Sequence, residues 1–210
     1  MDGVVLVHGL WMRGAVFAVH AHWLRQHGFA THCFTYASVR AGIAESAAQL
    51  DRYIAAVNAP AIHLVGHSLG GLVVLGMLAH YPRPRVRRAV LMGVPVRGSH
   101  SAGALLQHGL GQAIVGRALR TWRPAELPAL PSDVEIGVLA GTRSLGFARL
   151  IGGLPQPNDG VVAVAETRLA GAADAIDLDV AHSQMLVSRG CAEQVAAFLT
   201  TGRFVADARV

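Results

Sequence analysis

The chain has 210 residues, 52% of them hydrophobic and 15% charged, with a formal net charge of +5. That length suits one domain with a core of its own, and the composition excludes a disordered chain. All 18 basic residues are arginine, which excludes chemistries that need a lysine: a P-loop, a Schiff base or a Ser–Lys dyad.

Val4–Val7 is a continuous apolar run closed by His8-Gly9-Leu10 and reads as a buried strand. A helix is expected over Ala15–His27, ended by Gly28, and a second strand over Ala30–Tyr36. Ile43, Ala47, Leu50, Ile54 and Val57 share one face of a helix that Asn58 and Pro60 stop. Ile62–Val65 is the third strand, Leu69–His80 a buried helix closed by Pro82, and Val86–Met92 the fourth strand. Val134–Leu139 and a weaker Ala175–Leu178 complete the strands, and Ala192–Leu199 is the closing helix. This alternation predicts the α/β class: one domain over residues 1–210, with about six mostly parallel strands and helices on both faces.

The regularity breaks between Pro95 and Pro131, over a span too long for a simple connection. Residues 97–130 are therefore expected to form a lid or cap insertion. Within it, Leu106, Leu110 and Ile114 recur every four residues and Ala118 continues the row. The expectation over Ser101–Thr121 is a mobile lid helix with one apolar stripe, the alternative being a fixed helix packed on the core. Gly103, Gly109, Gly111 and Gly116 weaken that helix by roughly 1 kcal/mol each relative to alanine.

The chemistry is concentrated in Gly66-His67-Ser68-Leu69-Gly70, which fits G-x-S-x-G. A bare match is weak, but this one follows a strand and opens a helix. A sharp strand–turn–helix bend presents the serine outside the carboxyl edge of the sheet. At the end of the first strand, Val7-His8-Gly9-Leu10 is a turn that can aim a backbone N–H at the same point. The expected oxyanion donors are the amides of Leu10 and Leu69, with Trp11 as the alternative to Leu10. His8 reads as a structural hydrogen-bonding residue.

In folds built on such a strand–turn–helix serine the acid and then the histidine follow the serine along the chain, so the base is sought after Ser68. His80 ends the helix that starts at the serine, about 18 Å away, and His100 and His108 lie in the irregular insertion. His182 follows the last strand closely, in DLDVAHSQM, and is the expected base. For the acid, Asp133 and Asp174 precede their strands, Asp177 lies within one, and Asp179 is almost adjacent to His182. Asp159 lies in Pro157-Asn158-Asp159-Gly160-Val161-Val162, on a loop after the fifth strand and at the edge that presents the serine.

GHSLGG, the strand-ending VHGL, NDGVV and the late AHSQM together resemble the α/β-hydrolase superfamily, most closely its small bacterial lipases and esterases of the minimal Bacillus type. Pro95–Ser99 (PVRGS) also resembles the lipase P-H-x-G-S/T loop, with Val96 in place of the histidine. The resemblance implies a cofactor-free hydrolase with Ser68, Asp159 and His182 as nucleophile, acid and base. The missing antiparallel edge strands match minimal lipases; the long insertion departs from them, so substrate preference does not carry over. The expected activity is carboxylic ester hydrolysis, with acyl transfer or thioester hydrolysis by the same triad as the alternative, and a non-catalytic module on this fold as a third reading.

Trp11, Leu106 and Leu110 are candidate substrate-binding residues, placed to line an acyl pocket. No metal is expected, because H-E-x-x-H is absent and His20 and His22 point to different helix faces. Gly109-Leu110-Gly111 follows no strand, so no dinucleotide is expected either. The partner is a small-molecule acyl ester. The basic run Arg83–Arg88 surrounds two prolines without an aromatic platform, which argues against nucleic acid. Two cysteines make no disulfide framework and read as buried free thiols. No signal peptide is visible, and the longest apolar stretch, Leu72–Ala79, is far short of a span. A soluble, cytoplasmic protein is the expectation; nothing in the sequence sets the oligomeric state.

Overall fold

Six parallel strands form one sheet: β1 (Gly3–Val7), β2 (Ala30–Phe34), β3 (Ile62–His67), β4 (Val86–Met92), β5 (Glu135–Gly141) and β6 (Asp174–Leu178). Their order is β2-β1-β3-β4-β5-β6, and each neighbouring pair is parallel. The computed structural model describes residues 1–106, 111–126, 129–145 and 154–205. The described α-helices are α1 (Ala18–Gln26), α2 (Ile43–Ala56), α3 (Leu69–His80), α4 (His100–Leu106), α5 (Gly111–Thr121), α6 (Val164–Thr167) and α7 (Arg189–Thr201).

The period-two pleat explains the two cores. Val5 and Val7 of β1 pack with α2 and α3 on one face, while Val4 and Leu6 pack with α1 and α7 on the other. A strand covered on both faces has no polar side, hence the unbroken apolar runs in the sequence. Helix α3 is buried from Leu69 to Leu78, wedged between sheet and α2, so it is apolar all round. The order reverses between β1 and β3, a switch point where a crevice opens outside the carboxyl ends of the strands. The turns after β1 and β3 both face that crevice.

Several boundaries differ from the sequence expectation for identifiable reasons. Strand β2 stops at Phe34, because the Tyr36 N–H is diverted to the His8 ring, 3.3 Å away. The first helix starts as a 3₁₀ turn over Gly14–Phe17 before α1. Within the helix expected over Ser101–Thr121, the described residues are helical in α4 and α5, and α5 is broken at Gly116, where φ is 70°. Residues 107–110, with Leu110 among them, lie outside the described residues. Both cysteines are free, but Cys33 is exposed; it stands on edge strand β2, whose outer pleat faces solvent. Most of the basic run is tied into the protein. Arg83 grips Asp51 bidentately, Arg85 bonds the Val57 and Ala59 carbonyls, and Arg88 pairs with Glu135. Among the described residues, no helix is long and apolar enough to cross a membrane.

Candidate active site

Ser68 is the hinge between β3 and α3. It takes φ 54° and ψ −126°, a conformation L-residues avoid, at a cost of order 1–3 kcal/mol. Its N–H bonds the Met92 carbonyl of β4 at 2.9 Å, which fixes the bend from the neighbouring strand. The glycines leave room for it: a Cβ on Gly70 would lie 2.1 Å from the Val7 carbonyl, and one on Gly66 would lie 2.5 Å from Gly71 Cα. Leu69 is the first residue of α3, so its amide has no intrahelical partner and carries the positive end of the helix dipole.

Asp159 and His182 meet at the same edge. Asp159, 1% exposed, accepts the Val161 and Val162 amides on Oδ1, at 2.9 and 2.7 Å. Its Oδ2 accepts from His182 Nδ1 at 2.7 Å, and the His182 amide bonds the Asp159 carbonyl at 2.9 Å. In the neutral ring with Nδ1 donating, the lone pair is on Nε2. Asn158 holds the loop in shape, donating to the Pro155 carbonyl and accepting from the Gly160 amide.

Three residues to which the sequence reading gave no role complete this corner. Gly93, at φ 57° after β4, lies against the pair: a Cβ there would sit 3.0 Å from His182 Nδ1 and 3.1 Å from Asp159 Oδ2. His67 donates Nε2–H to the His182 carbonyl at 3.0 Å, and His20 donates to the Met185 carbonyl at 2.8 Å. Both are neutral, with Nδ1 buried and unpartnered among the described residues. Burial, and then the neighbouring His182, push His67 well below the usual imidazole range; burial lowers His20. The only sequence signals were a glycine ending a buried strand and histidines inside apolar runs.

The turn after β1 is built around His8. Its Nδ1 donates to the Gly9 carbonyl at 2.8 Å, while Nε2 accepts the Tyr36 amide. The Tyr36 hydroxyl donates to the His8 carbonyl at 2.9 Å, and the two rings stack. Burial lowers the pKa of His8, so it serves this turn as a neutral ring. Beyond it, Trp11 sits at φ 62° and is 65% exposed.

Ser68, His182, Leu10 and Trp11 line one cavity of 220 Å³. No hydrogen bond joins Ser68 to His182 among the described residues; apo sites often hold such groups apart until substrate binds. The insertion closes the far wall with Ala102, Val115 and Leu119. Leu106 is half-buried on α4 and is not among the lining residues; Leu110 falls outside the described ones. Among the described residues, no group of three or more His, Cys, Asp or Glu side chains is placed to hold a metal ion.

The doubly wound sheet with a strand–elbow–helix turn at its switch point defines a class of protein. Residues 4–205 match the model of the alpha/beta hydrolase family, and the chain belongs to that family. Among solved structures, the mature form of a Bacillus licheniformis lipase superposes with a TM-score of 0.75 at 18% identity, over 94% of this chain and 90% of the lipase. A metagenomic carboxyl esterase gives 0.69 at 23% identity, over 86% of this chain and 64% of the esterase. A pyrethroid hydrolase from Sphingobium faniae gives 0.65 at 14%, over 96% and 98%. At these identities the likeness is one of fold. Comparison with curated proteins returns no match.

Proposed function

We propose that the protein is a serine hydrolase of carboxylic esters, acting through an acyl-enzyme on Ser68. The observation that carries this reading is the buried Asp159–His182 pair, at 2.7 Å, facing the cavity that Ser68 shares. His182 Nε2 takes the hydroxyl proton as Ser68 Oγ attacks the carbonyl carbon. The Leu10 and Leu69 amides receive the oxyanion. His182 then passes the proton to the departing alcohol, and water, activated the same way, releases the acid. Asp159 holds the tautomer and stabilises the imidazolium; its two backbone donors fix it for that task. Residues 97–130 act as the cap on the acyl side, with Trp11 at the mouth.

A fluorophosphonate probe tests this directly. Wild type should be labelled at Ser68 and should hydrolyse p-nitrophenyl butyrate; Ser68→Ala should do neither while remaining folded. A wild-type protein that is neither labelled nor active on any ester would refute the reading.

A further inference from the structure

A second groove, of 430 Å³, opens beside the reaction cavity and shares Trp11 and Met12 with it. Its lining includes Arg13, Thr35, Ser38 and Arg40, and among the described residues neither it nor the cavity is lined by an Asp or Glu. Five other arginines, Arg83, Arg88, Arg143, Arg168 and Arg189, each hold a carboxylate. Among the described residues, the side chains of Arg13 and Arg40 hold none and make no hydrogen bond. The hydroxyls beside them are also unspent. Ser38 is 4% exposed, and its hydroxyl has no partner among the described residues. Thr35 Oγ1 accepts the Gly14 amide at 3.0 Å, which leaves its own proton to give. Among the described residues, the groove is thus a set of donors and fixed positive charges without a counter-charge. Guanidinium forks match the planar oxygens of carboxylate and phosphate and stay charged at any working pH.

We propose that this groove binds an anionic group, carboxylate or phosphate, on the alcohol side of the ester while the carbonyl sits at Ser68. The apolar wall of Ala102, Val115 and Leu119 takes the acyl chain, so the charge belongs on the other limb. The inference rests on the reading of Ser68 as nucleophile.

The test compares kcat/KM for butyl butyrate, for the butyrate ester of γ-hydroxybutyrate and for its phosphate-ended counterpart. An anionic alcohol should raise kcat/KM by roughly tenfold, the effect of one charge-assisted hydrogen bond, and added salt should erode the gain. The larger gain names carboxylate or phosphate as the group. The Arg13→Gln/Arg40→Gln double variant should lose the gain and keep the butyl butyrate rate; both arginines are exposed, so folding is not at stake. Lysine at both positions should restore part of it. No anionic preference, or a preference that survives the double glutamine variant, overturns the proposal. So does a preference seen only for monomethyl adipate over methyl hexanoate, which would put the charge on the acyl limb. If neutral esters are hydrolysed in any of these cases, the ester-hydrolase reading stands; if no ester is hydrolysed and Ser68 is not labelled, both fall.

Discussion

At Ser68, a φ of 54° costs any side-chain-bearing residue and costs glycine little. Ser68→Gly should therefore be more stable than Ser68→Ala by roughly 1 kcal/mol, read from denaturant melts. Equal stability would mean that the elbow stores no strain. Gly93 poses the reverse case. Its φ of 57° disfavours any side chain, and a methyl group there would press on His182 and Asp159 at 3.0 and 3.1 Å. Gly93→Ala should displace the pair by a few tenths of an ångström or more and lower kcat about 100-fold, while the protein stays folded. If Ser68 and His182 act as one unit, the Ser68→Ala/His182→Ala double variant should be little worse than either single one. Additive losses in kcat would count against the shared mechanism. Asp159→Asn should fold and lose most of kcat, because an amide in place of the carboxylate no longer fixes the productive tautomer.

At the level of elements, the insertion after β4 is anchored more firmly than its glycines suggest. Ala118 and Val115 of α5 are buried, Trp122 donates to the Val96 carbonyl at 3.1 Å, and the Arg117 amide bonds the Val39 carbonyl at 3.0 Å. The start of α4 is held as well, by the Glu166 carboxylate of α6, which accepts the His100 amide. Leu119 is the lining residue that can be shortened without touching those anchors. Leu119→Ala should widen a 220 Å³ cavity and move the best acyl chain of p-nitrophenyl esters toward longer homologues. An unchanged chain-length profile, with a large fall in melting temperature, would make Leu119 a packing residue only.

Across the whole molecule, the buried histidines set the response to acid. Burial lowers the pKa values of His8, His20, His63 and His67 in the folded state. Unfolded, they return to the ordinary imidazole range near 6.5. As pH falls below that value, the unfolded chain binds protons that the fold refuses, so stability drops; above it, these groups contribute no slope. Melting temperature should be nearly level from about pH 7 to 8 and should fall between pH 6.5 and 5, before ordinary carboxylates titrate. A flat profile over that lower interval would show that these four rings take up protons in place. His63→Gln, far from Ser68 at the amino end of β3, should make the slope shallower and leave ester turnover alone.

What the sequence determined by itself was whatever depends on neighbours along the chain. Apolar runs set the strands, because a strand buried on both faces cannot alternate. The glycines around Ser68 marked the elbow, because close backbone approach there admits no Cβ. Chain order and strand ends sufficed to select Asp159 and His182 as candidates. Only the tertiary structure decided what rests on residues distant in sequence. Gly93 matters because β4 ends beside two loops that arrive from β5 and β6. His67 and His20 matter because their rings meet carbonyls that lie 115 and 165 residues further on. Of the described insertion residues, Ala102, Val115 and Leu119 line the cavity, and the break at Gly116 interrupts the helical phase that a four-residue spacing assumes. The arginine groove is legible only in three dimensions, because whether a charge is paired depends on which carboxylates the fold brings within reach of it.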